Sequence, residues 1–143
     1  MSPQPRPVGL TVLAVLAFLL AWGGAVSALD LFLIAHPPGS GPTSKDFDLV
    51  YPARAVQVGL GLLALLRVAM QVAAGIGLLR QSDRLGRKLG NLWGALSLLQ
   101  LALTHILMQI RPTPAYLLSL LGGVATIGVV LVLINGPFRR AFH

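Results

Sequence analysis

The sequence predicts an all-α, polytopic membrane protein in which four transmembrane helices form one antiparallel bundle. The first observation is composition: 55% of the 143 residues are apolar and only 10% are charged, with no Cys and no Glu. Soluble domains carry about a quarter charged residues. The second observation is four long apolar segments, which at ~20 residues per crossing use ~80 positions and leave no room for a separate soluble domain. We therefore predict a single transmembrane domain over residues 1–143.

The predicted crossings comprise residues 8–34, 54–79, 89–110 and 115–135. The third and fourth contain no Asp, Glu, Lys or Arg, and the first contains only Asp30 near its end. Each therefore has the roughly eighteen apolar residues that a spanning helix needs. The second segment has Arg67 at its centre. The twelve residues on either side of Arg67 are too few to cross alone and hold no turn signal, so we expect one continuous helix.

Basic residues are distributed unevenly between the two ends of the predicted bundle. Seven flank one end: Arg6, Arg80, Arg84, Arg87, Lys88, Arg139 and Arg140. The other end has Lys45, Arg54 and Arg111. Because cytoplasmic loops are enriched in Lys and Arg, both termini are predicted to be cytoplasmic and the Pro- and Gly-rich loop 35–53 to lie outside. Topology and anionic lipid headgroups explain the net charge of +7 better than nucleic acid does, because no aromatic residues interleave with the basic ones.

Arg67 is the most informative single residue, because a cation at the centre of a span is costly and normally faces protein. We label the second segment, residues 54–79, α2. At helical spacing Arg67 shares one face of it with a small and polar set, which we call the α2 stripe: Gln57, Gly61, Ala64, Gln71, Ala74 and Gly75. We expect this stripe to pack against protein. Arg67 then either bonds Gln side chains and carbonyls of neighbouring helices, or binds an anion, a lipid headgroup or a ligand carboxylate. The structural role is preferred, since interhelical polar bonds are common in membranes.

The third segment carries a complementary polar arc of Ser97, Gln100 and Thr104, with His105 offset around the helix. At 1.5 Å per residue, Gln100 lies at a depth similar to that of Arg67, so we expect a contact between them. His105 is expected to be a hydrogen-bonded core histidine, with haem or chlorin ligation as the less favoured alternative. Asp30 is a candidate partner for His105, or reaches interfacial water. The predicted intramembrane polar cluster comprises Arg67, Gln71, Gln100, His105 and Asp30.

Small residues recur at spacings of three or four, which lets helix backbones pack closely in a membrane. They are Ala69, Ala73 and Gly77 in the second segment, Gly90 and Gly94 in the third, and Ser119, Gly123 and Thr126 in the fourth. By contrast, the parts of an active site are missing. The sequence has no Cys, no phosphate-binding loop, no His and carboxylate cluster with metal spacing and no Ser beside a base, so we predict no catalytic residue, no metal and no enzyme.

Two stretches resemble small, uncharacterised bacterial four-helix integral membrane proteins. One is the opening from Arg6 to Ala14, and the other runs from Ala74 through a basic turn to Ala95. The resemblance covers the first three predicted spans. It implies a multi-pass protein of the bacterial cytoplasmic (inner) membrane, and it implies no activity.

Three functions are compatible with these features. The leading hypothesis is a non-catalytic accessory, structural or assembly subunit that packs against other integral membrane proteins in the lipid bilayer. The alternative is a small-solute or anion pathway formed by several copies, lined by Gln57, Arg67, Gln71 and Gln100, with Arg67 selecting anions. The third is a membrane subunit that carries a pigment, haem or lipid-soluble cofactor at His105. No nucleic-acid partner is expected.

Overall fold

The described residues form four α-helices, in agreement with the predicted all-α fold. A computed structural model describes residues 7–39, 41, 47–48 and 50–142. The helices are α1 (Val8–Leu33), α2 (Arg54–Leu79), α3 (Leu89–Leu107) and α4 (Pro114–Asn135). Three of the predicted segments match these bounds to within a residue. The third ends early, because the chain turns after α3 and Gln109 adopts a left-handed φ of 45°. Arg6, Lys45 and parts of the predicted loop 35–53 lie outside the described residues.

Three of these helices, α1, α2 and α4, are long and apolar enough to cross a membrane. In their most apolar stretches, 33% of residues are buried in α2, 17% in α1 and 6% in α4. The α2 helix is therefore the central element, and α4 is the most peripheral of the three. The α3 helix is 19 residues long and includes the polar side chains of Asn91, Ser97 and Gln100.

The α2 stripe packs against α1, as the helical spacing predicted. The most extensive contact between any two described elements is the one between α1 and α2. Gly61 allows the closest approach, because a Cβ added there would lie 3.1 Å from the carbonyl oxygen of Ala28. Farther along α2, Gly75 accommodates the ring of Phe18. Small side chains thus let two helices meet at backbone distance where lipid supplies no hydrophobic driving force.

We call the end of the bundle where α1 ends and α2 begins the outer end, and the opposite end the inner end. Polar contacts to the last turn of α1 stabilise the outer end. The guanidinium of Arg54 donates hydrogen bonds to the carbonyl oxygens of Leu31 (3.1 Å), Phe32 and Ile34 (both 2.5 Å). These are carbonyls that the last helical turn leaves without partners. The amide of Gln57, which is 0% exposed, donates to the carbonyls of His36 and Pro52 at 2.8 Å each.

Two short strands tie the outer loops together. Residues Phe47–Asp48 (β1) pair antiparallel with Arg111–Pro112 (β2). The backbone N–H of Val50 also donates to the carbonyl of Met108 at 3.1 Å. Because β1 precedes α2 and β2 precedes α4, the first residues of these two helices lie at the same end of the bundle.

At the inner end, a π-helical turn (Asp83–Lys88) connects α2 to α3. Arg87 donates to the carboxylate of Asp83 at 2.5 Å, and this hydrogen bond holds the pKa of Asp83 below its usual value. The turn lies directly against α2, because an added Cβ on Gly77 would collide with the backbone at Leu85 and Gly86. The last described residues also return here: the ring of Phe142 lies against Gly86.

The apolar core is divided into two clusters. The inner cluster contains Leu10, Ala14, Leu78 and Ile134, and the outer cluster contains Leu60, Met108 and Ile110. Between these two clusters the helices are incompletely packed, since α1 and α4 make hardly any backbone contact within the described part of the chain. This incomplete packing leaves cavities at mid-depth.

Candidate functional site

The candidate site is a largely apolar cavity of about 460 Å³ between the two core clusters, with a few polar side chains in its wall. We call it the mid-depth cavity. All four helices contribute to its wall. Its polar lining comes mainly from Arg67 and Gln71 of α2 and from Trp93 and Ser97 of α3, while Gly24 of α1 is among its apolar lining. Its wall therefore combines a cation, an amide, an indole and a hydroxyl in an otherwise apolar setting.

Arg67 projects toward α1 and is half-buried. An added Cβ on Gly24 would lie 2.8 Å from Nη2 of Arg67, so the guanidinium rests against the α1 backbone. The guanidinium therefore contacts protein on the α1 side. Its Nε is buried and has no hydrogen-bond partner among the described residues, so neither a Gln side chain nor a backbone carbonyl bonds this atom.

The expected contact between Arg67 and Gln100 does not form a hydrogen bond. Oε1 of Gln100 is buried without a partner in the part of the chain that the structure describes. The reason is rotational: similar depth places two residues at one level, but the side chains meet only when both helices also turn them toward each other. Gln71 instead donates to the carbonyl of Ala17 at 3.1 Å and joins α2 to α1.

Two further buried polar atoms line the mid-depth cavity. Trp93 is 9% exposed and Ser97 is 3% exposed, and neither Trp93 Nε1 nor Ser97 Oγ has a hydrogen-bond partner among the described residues. An unpaired buried polar group costs about 1–3 kcal/mol. Trp93 was not among the predicted site residues. The signal was present, however, because Trp93 lies four residues before Ser97 and extends the polar arc of α3 by one turn.

Asp30 and His105 do not line this cavity, and each contacts another residue. Oδ2 of Asp30 lies 3.1 Å from Nε2 of His36. The ring of His36 stacks on Tyr51 with centroids 4.0 Å apart, and burial, together with the Asp30 carboxylate, raises the pKa of Tyr51. Asp30 is therefore part of the outer-end contacts. Its partner is His36 and not His105, as had been considered from the sequence.

His105 lies beside Tyr116 of α4, with Nδ1 and Oη 3.4 Å apart and ring centroids 5.8 Å apart. A haem with two axial histidines needs a second imidazole at this depth. The other histidine within the described residues, His36, stacks on Tyr51 instead. The described residues also contain no group of three or more His, Cys, Asp or Glu side chains that could hold a metal ion. His105 is therefore within hydrogen-bonding distance of the Tyr116 hydroxyl.

The mid-depth cavity therefore brings together Arg67 and Gln71 of the predicted cluster, adds Trp93 and Ser97, and leaves Gln100, Asp30 and His105 outside its wall. Its unpaired atoms are mostly donors, since Arg and Trp only donate and Ser does both. Such a wall is suited to binding a negatively charged hydrogen-bond acceptor. No family model, no curated protein and no solved structure matches this chain.

Proposed function

We propose that the protein is a non-catalytic accessory subunit of a larger assembly in the bacterial cytoplasmic membrane, and that α4 is the helix that contacts its partner. One observation carries the proposal. The face of α4 that bears Ser119, Gly122, Gly123 and Thr126 is exposed along two turns. A Cβ added to Gly122 or Gly123 would meet nothing within 4 Å among the described residues. Small residues at this spacing favour close approach of a neighbouring membrane helix.

The proposal includes four crossings. The pairing of β1 with β2 places the first residues of α2 and α4 at one end of the bundle. Because α2 runs to the opposite end, α3 has to return over the same length. At 1.5 Å per residue its 19 residues extend about 28 Å, close to the ~30 Å hydrocarbon thickness.

Both termini are proposed to be cytoplasmic, and thiol labelling tests this. The ring of Phe138, just after α4, lies against Gly9 near the start of α1, which supports placing both chain ends on one side together with the basic turn. In intact cells with a permeabilised outer membrane, an impermeant thiol reagent should label Ser40→Cys and leave Ser82→Cys unlabelled. The reverse pattern contradicts the orientation, and labelling of both after lysis is the accessibility control.

The accessory role predicts stoichiometric association with a different membrane protein. Extraction in a mild detergent followed by native mass measurement should find most copies bound to a second kind of chain. Gly122→Leu should reduce the bound fraction severalfold, since the larger side chain keeps a neighbouring helix from the small face.

The matched control is Gly59→Leu on α2, where a Cβ added to the glycine likewise meets nothing within 4 Å. It should leave the bound fraction unchanged. A purely monomeric protein, or an equal loss with both variants, is incompatible with an α4 docking face.

The anion pathway formed by several copies is the second candidate. The charge of Arg67 and the donors beside it favour it. We rank it lower because two residues of the proposed lining have other partners: Gln57 bonds the outer-loop carbonyls and Gln71 bonds Ala17. A stable homo-oligomer that conducts anions, with conductance abolished by Arg67→Gln, would promote this candidate above the accessory role. A cofactor carried at His105 ranks third.

A further inference from the structure

Among the described residues, no carboxylate lies within salt-bridge distance of Arg67. The four acids of the chain are Asp30, Asp46, Asp48 and Asp83. Asp30 is six residues beyond Gly24, about 9 Å along α1, and pairs with His36. Asp83 pairs with Arg87 at the inner turn, and the other two belong to the loop between α1 and α2.

Two further unpaired groups beside Arg67 also need a hydrogen-bond acceptor. Trp93 Nε1 is a donor only, and the Ser97 hydroxyl donates or accepts. Both side chains are more than nine-tenths buried, line the mid-depth cavity and have no partner among the described residues. The hydroxyl of Thr126, also in the wall, already donates to the carbonyl of Gly122 at 2.8 Å. An oxygen acceptor in the cavity would satisfy the guanidinium, the indole and the Ser97 hydroxyl.

An apolar cavity of about 250 Å³ adjoins the mid-depth cavity on the inner side. The two share wall residues, among them Leu20, Trp93 and Thr126. The inner cavity is lined almost entirely by aliphatic side chains and small residues, including Leu13, Ala74 and Ile134. An apolar groove between α1 and α4, to which Thr126 also contributes, leads from the same region to the outside of the bundle.

We propose that these cavities bind a single-chain amphiphile with a carboxylate head, such as a long-chain fatty acid. The carboxylate contacts Arg67, Trp93 and Ser97, and the hydrocarbon chain occupies the inner apolar cavity after entry between α1 and α4. A carboxylate satisfies the guanidinium charge, which a neutral carbonyl does not. A phospholipid phosphate lies at the interface, roughly 15 Å from the bilayer centre. Ligand binding here requires no partner protein, so it is separable from the accessory role even though Gly123 and Thr126 belong both to the cavity wall and to the proposed α4 face.

The two tryptophans of the chain allow a direct test with a bromine-labelled fatty acid, because bromine quenches indole fluorescence on contact. Trp22→Phe leaves Trp93 as the sole reporter in the cavity wall. Trp93→Phe leaves Trp22, which is 76% exposed on the outside of α1, as the reporter of simple partitioning into the bilayer. In lipid nanodiscs, titration with bromostearate should quench Trp93 saturably and Trp22 only in proportion to the added acid.

Two variants in the Trp22→Phe background test where the carboxylate head binds and where the hydrocarbon chain enters. Arg67→Gln should raise the half-quenching concentration about tenfold or more, because a charged hydrogen bond is lost. Thr126→Phe retains Arg67 but narrows all three cavities, and should raise it severalfold. Val132→Phe, an equally exposed position of α4 outside the cavity walls, should leave it unchanged. Comparison of Thr126→Phe with Val132→Phe keeps the test valid if Arg67→Gln misfolds.

Three comparisons identify the source of the carboxylate chemistry. The methyl ester of bromostearate should quench Trp93 only weakly, and excess sodium acetate should not displace the acid. Equal saturable quenching by acid and ester would show that the negative charge of the head group does not contribute to binding, and this result overturns the proposal. Full displacement by acetate indicates a free-anion site, and saturable quenching by brominated phosphatidylglycerol in place of the acid indicates a phospholipid site. Either result also overturns it, and none of these outcomes bears on whether a partner protein is bound.

Discussion

Replacing Gly77 with Ala should destabilise the bundle by about 3 kcal/mol or more. The reason is contact between two backbones. The added Cβ would collide with the backbone at Leu85 and Gly86 in the inner turn, and no side-chain rotation relieves a clash with main-chain atoms. The turn has to move away from α2, which also separates Phe142 from its position against Gly86.

Gly59→Ala is the matched control, because it makes the same substitution in the same helix. A Cβ there meets nothing within 4 Å, and Ala is favoured over Gly in a helix by up to ~1 kcal/mol. It should be neutral or slightly stabilising. Reversible unfolding in mixed detergent micelles measures both variants. Equal stability of the Gly77 and Gly59 variants would show that the inner turn is not held against α2.

Arg54→Met should destabilise the outer end by about 3 kcal/mol. The substitution removes three hydrogen bonds from the guanidinium to the carbonyls of Leu31, Phe32 and Ile34. Hydrogen bonds to a charged group contribute about 1.5–3 kcal/mol each when buried, and the terminal carbonyls of α1 carry the negative end of the helix dipole. Partial access of water to these carbonyls reduces the sum.

Arg80→Met provides the comparison at the other end of α2. Arg80 is exposed, so its removal should change stability by less than about 0.5 kcal/mol. The same unfolding assay, combined with protease digestion of the loop between α1 and α2, separates the two variants. Faster cleavage of this loop is expected only with Arg54→Met. Indistinguishable stability and cleavage would mean that the guanidinium does not hold the end of α1.

Local patterns were sufficient to predict the helices. The bounds of α1, α2 and α4 follow from apolar length, from charged residues at the segment ends and from Pro near the loops. The orientation of α2 was also predictable, because the positions of Gly61, Gln71 and Gly75 on one face depend only on helical periodicity. The early end of α3 was not predicted, since residues 108–110 contain no charged residue, Gly or Pro that would signal the turn at Gln109.

The candidate site was only partly predictable. Arg67 and Gln71 were identified because a polar side chain in an apolar segment is conspicuous, whereas Trp93 reads as an ordinary apolar residue. No hydrogen bond joins Arg67 to Gln100 in the described part of the chain, although their depths are similar. Asp30 and His105 were grouped with them because both are ionisable side chains inside predicted spans, yet their neighbours in the fold are His36 and Tyr116.

The sequence by itself determined that this protein is made of apolar helices, where those helices lie along the chain, and which face of α2 packs on protein. These properties depend on residues within one or two turns of each other. Only the tertiary structure decided that α1 and α4 stay apart, that the core divides in two, and that Arg67, Trp93 and Ser97 line one cavity, with Arg67 Nε, Trp93 Nε1 and Ser97 Oγ unpaired among the described residues. Those properties depend on how each helix rotates and how far it lies from its neighbours, which is set by side chains distant in the chain and leaves no local pattern.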